Sequence, residues 1–264
     1  MRVATFNLHA GVDGWGRPTN ALDTATQLEA DVLVLQELWR GDNGPDMVDE
    51  LERRLLMKGV FAPLARCERV STGSAGLSWQ PLSAHFTGEH GLYFQEHRRL
   101  KPAQGKRRRK VPALEHGTWG LGLFTSLPVL ESRIVELRRL PREKVRRSVI
   151  LARLGGERDF YVVAVHGAHI SHGSYFQYRQ IAKIVSELDQ SVPVIMAGDF
   201  NCWRPLLRLF LPGWKTLVRS RTWPARLPHS QIDHVLARGA WTSTGGFSVN
   251  GGSDHRALVA DVAN

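Results

Sequence analysis

Val192-Pro193-Val194-Ile195-Met196-Ala197-Gly198-Asp199-Phe200-Asn201 is an apolar run that ends in a glycine, a carboxylate and a carboxamide. Residues 192–198 read as a short strand buried on both faces. The polar residues after it sit where a sheet presents side chains to a shared crevice. The same grammar recurs along the chain. Asn7 follows Val3-Ala4-Thr5-Phe6, Glu37 follows 32–36, and His166 follows 161–165. Asp233 lies inside Gln231-Ile232-Asp233-His234-Val235-Leu236, and Asp254 and His255 precede Ala257-Leu258-Val259. A single polar residue at a strand end means little, because loops are polar. Many of one chemical type, each at the end of an apolar strand, point to one site.

Further strands are predicted at 2–8, 31–35, 122–125, 148–154, 160–166, 232–237 and 258–262. Helical spacing places Leu22, Ala25 and Leu28 on one face of 21–29, and Met47, Leu51 and Leu55 on one face of 46–58. Ile181, Ile184, Val185 and Leu188 do the same over 175–188. Strands that are apolar throughout must be covered on both sides. The expected fold is therefore α/β: a four-layer α/β/β/α sandwich of two packed mixed sheets flanked by helices.

The chain has 264 residues and is 42% hydrophobic, enough for one large domain with a real core. Its two cysteines, Cys67 and Cys202, exclude a disulfide scaffold and a Cys-based zinc site. No stretch is long and apolar enough to span a bilayer, and Met1 runs straight into a strand without an apolar signal region. The chain is expected to be soluble, cytoplasmic and monomeric. The net charge of +10 points to polyanions: nucleic acid first, with anionic lipid as a second partner class. From Arg98 to Lys110 the chain reads RRLKPAQGKRRRK, with eight Lys or Arg and no acid. Pro102, Gly105 and Pro112 mark that stretch as a loop, expected to be an insertion at about 98–112 in a single domain of 1–264. Arg107, Arg108 and Arg109 are candidate substrate contacts, with a solvated turn as the plain alternative.

Carboxylates and carboxamides are hard oxygen ligands and favour Mg²⁺ or Mn²⁺. Cleaving a phosphodiester requires its charge to be neutralised, a water to be made nucleophilic and a leaving oxygen to be stabilised. A metal serves the first and third needs, and a His held by an Asp serves as general base or orients the water.

Phe6-Asn7, Gln36-Glu37, Gly198-Asp199-Phe200-Asn201, Ile232-Asp233-His234 and Ser253-Asp254-His255, in this order, resemble the motifs of the endonuclease/exonuclease/phosphatase superfamily. That superfamily includes DNase I, exonuclease III, neutral sphingomyelinases and inositol-polyphosphate 5-phosphatases. Gly120–Val129 also resembles one of its central strands, and Arg179-Gln180 matches a helix position. The resemblance implies a DNase I-like fold and a role for each matching residue. Glu37 would be the main metal ligand with Asp254 close by, and Asn7 would help hold the metal or phosphate. Asp199 would orient or activate the water, Asn201 would bind a phosphate oxygen, and His255 paired with Asp233 would be a second acid/base or phosphate-binding group. His166 matches a catalytic or phosphate-binding His, and Arg179 is a candidate substrate contact. Asn7-Leu8-His9 and His166-Gly167 depart from the abasic-site endonuclease pattern. The expected activity is that of a metal-dependent nuclease, the alternative a sphingomyelinase-like or inositol-phosphate-type phosphoesterase. No clear membrane-docking hairpin, which would favour lipid, is present, although Leu206–Leu211 is apolar enough to be suspect. Trp203, Trp214 and Trp223 are expected in the core rather than as base-stacking platforms. At least two of His9, His169, His172 and His234 are expected to be structural or merely near the site.

Overall fold

A computed structural model describes residues 1–12, 18–43, 46–70, 82–87, 92–97, 114–141, 143 and 145–263. The basic stretch with Arg107, Arg108 and Arg109 lies outside the described residues. In chain order the elements are β1 (Arg2–Asn7), α1 (Ala21–Gln27), β2 (Val32–Gly41), α2 (Met47–Leu55), β3 (Lys58–Val70), β4 (Leu82–Thr87), β5 (Leu92–His97), β6 (Leu114–Thr125), β7 (Val129–Glu136), β8 (Ser148–Leu154) and β9 (Phe160–His166). There follow α3 (Tyr175–Ser186), β10 (Val194–Asp199), α4 (Arg204–Phe210), β11 (Lys215–Thr216), β12 (Asp233–Arg238), β13 (Thr242–Asn250) and β14 (Arg256–Ala263). One sheet has the order β13-β14-β1-β2-β6-β3-β5-β4 and the other β11-β12-β10-β9-β8-β7. Both mix parallel and antiparallel pairs. The two packed mixed sheets with helices outside are the sandwich the apolar strands require.

The side-chain period of two explains how the second sheet is covered on both faces. Ile150, Ala152, Val162, Ala164, Ile195 and Ala197 belong to the large core shared with the first sheet. Their neighbours Val149, Leu151, Val163, Val165, Val194 and Met196 belong to a second core beneath α3 and α4. Helix α4 holds most of the apolar run 206–211, where no clear membrane-docking hairpin was seen. Leu207 and Leu211 are buried in the second core, and only Leu209 is well exposed.

Strands β3, β4, β5, β7 and β13 were not anticipated, and β3 begins at Lys58, where a helix over 46–58 was expected. β7 and β13 are sheet edges with mostly exposed side chains, and the apolar Val129, Leu130 and Ile134 of β7 do not mark a buried face. The tryptophan expectation also needs correction. Trp214 packs against the second core, but Trp203 and Trp223 stand exposed.

Strand pairing fixes where the polar ends meet. Asp199 is in register with His166 across the parallel β10–β9 pair and with Asp233 across the antiparallel β10–β12 pair. Asn7 is in register with Gln36 across β1–β2, and β14 begins just after His255. The β9–β10 approach is tight at Gly198, which has φ +152°. A Cβ there would lie 1.9 Å from the Val165 carbonyl oxygen. Gly198→Ala is therefore expected to push β9 and β10 apart and to cost about 3 kcal/mol. A thermal melt checks this, and an unchanged midpoint would show that the strands have room to spare.

Candidate active site

The polar strand ends come together at one end of the sandwich. Asp199 is fully buried at their centre, with its Oδ2 3.8 Å from Nε2 of both His166 and His255. Asn7 donates through Nδ2 to Asp199 at 3.1 Å and to Glu37 at 3.2 Å, so one amide ties a carboxylate of each sheet. Its Oδ1 accepts from the His9 backbone N–H at 3.0 Å. Flipping the amide would set oxygen against two carboxylates, so the network fixes its orientation. Asn7 thus holds the two carboxylates and turns its oxygen to the His9 backbone. His166 Nε2 is also 3.9 Å from Glu37.

Three backbone devices aim these groups. Glu37 has φ +56° and sits where the β2–β6 register shifts between Leu35 and Leu38. Such a bulge re-aims a side chain, and a left-handed Glu costs on the order of 1–3 kcal/mol. Asn201 has φ +47°, which Asn tolerates, and its backbone N–H donates to Asp199 Oδ1 at 2.7 Å. His9, Ala10 and Gly11 are left-handed in succession, and His9 Nδ1 meets the Val12 carbonyl at 2.7 Å.

The two rings beside Asp199 are driven to opposite protonation states. Burial pushes His255 down. The charges of Asp233 and Asp199 and the Asp233 hydrogen bond, 2.9 Å from Nδ1, outweigh it and hold the ring well above its usual pKa. His166 is held well below, by burial and by the positive charges of Arg147 and His255. Burial, with the Asp233 charge, raises Asp199 to about 7 against the pull of His255 and of the hydrogen bonds from Asn201 and Asn7. Asp254 comes out below the usual carboxylate range. Burial pushes it up, but the His9 and His255 charges and the Ser253 hydroxyl pull it down further. His9 is raised despite its burial by the charges of Asp254 and Glu37. Both carboxylates thus act on His9, which marks there a negative field of the kind a cation needs. A second set, Asp199, Asp233 and His255, offers one ligand atom each within 4.8 Å of one another. There a metal would compete with the proton that joins His255 to Asp233.

Arg179, by contrast, lies on the exposed side of α3 with its guanidinium over the Tyr175 ring. It is not in contact with the cluster. His169 caps a short turn, His172 pairs with Glu143 at 3.0 Å, and His234 donates through Nε2 to the Cys202 carbonyl at 2.9 Å. These three are structural, whereas His9 adjoins the site. Arg147 is buried beside the site, its Nη2 3.5 Å from Glu143 Oε1 and its guanidinium 5.3 Å over Trp119. Trp119 in turn packs 5.0 Å from His166. In the sequence Arg147 stands in Arg146-Arg147-Ser148, where a charged pair reads as a solvated turn. Only the fold reveals it as a buried cation.

The model of the Endonuclease/Exonuclease/phosphatase family matches residues 4–255. The chain belongs to that family. Its fold is shared by an endonuclease/exonuclease/phosphatase from Beutenbergia cavernae (TM-score 0.67, 19% identity, 99% of this chain and 71% of the other). A family protein from Leptotrichia buccalis superposes over 100% of both chains (TM-score 0.68, 12% identity). The human Nocturnin catalytic domain with bound sulfate does so over 100% of this chain and 93% of its own (TM-score 0.64, 17% identity). A UPF0294 protein of Vibrio cholerae is 26% identical over 152 residues, 53% of this chain and 52% of the relative. The chain thus spans about half the length of the curated relatives it matches. Among the described residues no helix is long and apolar enough to cross a membrane.

His234 makes the site's support pH-sensitive. Burial pushes its imidazole down to about 4, and its Nδ1 is buried without a partner. The unfolded chain takes up this proton near pH 6.5, before the folded one does. The contribution is therefore complete above pH 6.5 and is lost as pH falls towards 4. Between pH 7 and pH 5 His234 should cost the protein about 2 kcal/mol. Urea unfolding of the wild type and His234→Gln at both pH values checks this. An equal loss in both proteins would contradict it.

Proposed function

We propose that this family member is a divalent-metal-dependent phosphodiesterase, acting as a nuclease on DNA or RNA, in a single domain with the 98–112 stretch as a basic insertion. The observation that carries the reading is Asp199: a buried carboxylate of raised pKa, flanked by a neutral His166 and a cationic His255, with Glu37 and Asp254 beside it. Mg²⁺ or Mn²⁺ bound by Glu37 and Asp254 would neutralise phosphate charge and stabilise the leaving oxygen. The oxygen-only donor pair and its negative field fit such an ion. Asn7 sets the Glu37 carboxylate for that task.

In this reading Asp199 accepts a proton from the attacking water, for which a pKa near the working pH is the efficient choice. The water oxygen bonds to phosphorus and one P–O ester bond breaks. The products are a phosphomonoester and an alcohol, and one water is consumed. His255, kept protonated by Asp233, donates to a phosphate oxygen as negative charge builds on it. Asn201 holds Asp199 through its backbone N–H and, at 3.4 Å, through Nδ2, which would have to release a partner to donate to a phosphate oxygen. Its Nδ2 also reaches the Gly167 carbonyl at 3.1 Å. Arg147 supplies fixed positive charge that keeps His166 neutral.

Nucleic acid is favoured over lipid because the chain carries a net +10 and its apolar α4 face is packed away. The human Nocturnin catalytic domain, similar in fold, holds a sulfate, a tetrahedral anion shaped like a phosphate.

The test is hydrolysis of single- and double-stranded DNA, abasic DNA, RNA, sphingomyelin and inositol phosphates with Mg²⁺ or Mn²⁺. Activity should vanish in EDTA and return with either ion. Full activity after exhaustive chelation would remove the metal from the mechanism, and hydrolysis confined to sphingomyelin or inositol phosphates would replace the substrate assignment. Asp199→Asn and His255→Ala should each lower single-turnover rates by about 10²–10⁴-fold with the melt preserved. A near-wild-type rate in either variant would take that residue out of the chemistry.

A further inference from the structure

Asp199 and Asp233 face each other across β10–β12, yet the chain between them takes a long excursion. Residues 200–232 contain no Asp or Glu and six cations: Arg204, Arg208, Lys215, Arg219, Arg221 and Arg226. Part of this excursion walls an open groove of about 570 Å³, lined by Trp203, Arg204, Arg219, Arg221, His229 and Gln231 among others. That is the size of a small-ligand site.

The groove is built on fixed chain. On one side α4 is anchored by Leu207 and Leu211 in the core, so the 54% exposure of Trp203 is not that of a frayed end. On the other, Leu217 N–H donates to Val235 at 3.0 Å, Thr222 N–H to Ser230 at 2.8 Å, and Arg256 N–H to Thr222 at 2.8 Å. Gln231 Nε2 crosses to the Val218 carbonyl at 3.0 Å. The groove adjoins the catalytic cluster: Trp203 is two residues beyond Asn201, and Gln231 is two before Asp233.

Its chemistry is one-sided. Many arginines elsewhere are pinned to carboxylates, as Arg2 is to Asp261, Arg40 to Asp46 and Arg153 to Asp159, and others lie on rings or carbonyls, as Arg179 does on Tyr175 and Arg256 on Ala225. Among the described residues Arg204, Arg219 and Arg221 have no such partner. Like charges left together beside an exposed indole fit a ligand with phosphates and a flat π-face. A duplex keeps its bases stacked inside, whereas a single strand offers them to an aromatic side chain. The groove is concave and its remaining lining polar, which suits a threaded strand better than a flat bilayer.

We propose that this groove binds single-stranded nucleic acid, with an unpaired base stacked on Trp203 and backbone phosphates on Arg204, Arg219 and Arg221, next to the phosphate that is cleaved. The last clause rests on the phosphodiesterase reading above; binding itself does not.

The experiment measures anisotropy of a fluorescein-labelled oligothymidylate in EDTA, across a salt series. Trp203→Ala should raise Kd roughly ten-fold or more, and Trp203→Phe should recover most of the loss. The double variant Arg219→Ala, Arg221→Ala should lower the log–log salt slope by about 1.4, some 0.7 for each phosphate contact. Arg158→Ala, beside a cavity with Met1 and Trp241, should change neither. A blunt duplex should respond less to Trp203→Ala than the single strand does. Unchanged Kd and slope in the groove variants would overturn the proposal. So would a Trp203→Ala protein that binds the oligonucleotide normally but no longer sediments with phosphatidylglycerol vesicles, since the surface would then serve a membrane. Wild-type hydrolysis of bis(p-nitrophenyl) phosphate with Mg²⁺ or Mn²⁺ tests the phosphodiesterase reading separately, because it needs no strand in the groove.

Discussion

Asp199 is a carboxylate taken fully out of water, and a buried carboxylate is tolerated only if its surroundings compensate it. The compensation comes from both sheets at once: the Asn7 amide from the first, the Asn201 backbone from the loop beyond β10, and the His255 imidazolium at the start of β14. Gly198 lying against Val165 lets β9 run close to β10, which brings His166 to 3.8 Å from Asp199. A hydrogen in place of a side chain at one position thus sets how near the neutral ring stands to the buried carboxylate.

The same burial divides the cluster by chemistry. His255 answers to Asp233 and stays charged, while His166 lies under Arg147 and stays neutral. Glu37 and Asp254 both act on His9, while Glu37 also lies 3.9 Å from His166 and Asp254 feels the His255 charge. The cluster thus separates into a carboxylate pair suited to a cation and an Asp199–His255–Asp233 set suited to moving a proton and meeting phosphate charge. Neither part depends on the identity of the substrate, which is why the groove of Trp203 and its arginines matters: as the proposed strand-binding surface it would choose what enters.

Much of this was legible in the chain. Strands covered on both faces announce themselves as unbroken apolar runs, so β8 and β9 were placed to the residue and the polar ends of β1, β2, β9, β10 and β12 were all found. The inner strand β3 was missed because Gly59 and Pro63 interrupt its apolar run, and the edge strands β7 and β13 because most of their side chains face water. The bulge that turns Glu37 inward, the burial of Arg147 and the exposure of Trp203 and Trp223 arise from tertiary packing. Local sequence has no term for any of them: an indole in a Leu-rich segment reads as core, and an arginine pair reads as surface.

The separation of the cluster into a metal part and a proton part is open to direct observation. Crystals grown with Mn²⁺ and measured at the manganese absorption edge should show an anomalous peak between Glu37 and Asp254, with the His255–Asp233 hydrogen bond intact. A peak enclosed by Asp199, Asp233 and His255, with that hydrogen bond broken, would contradict the account.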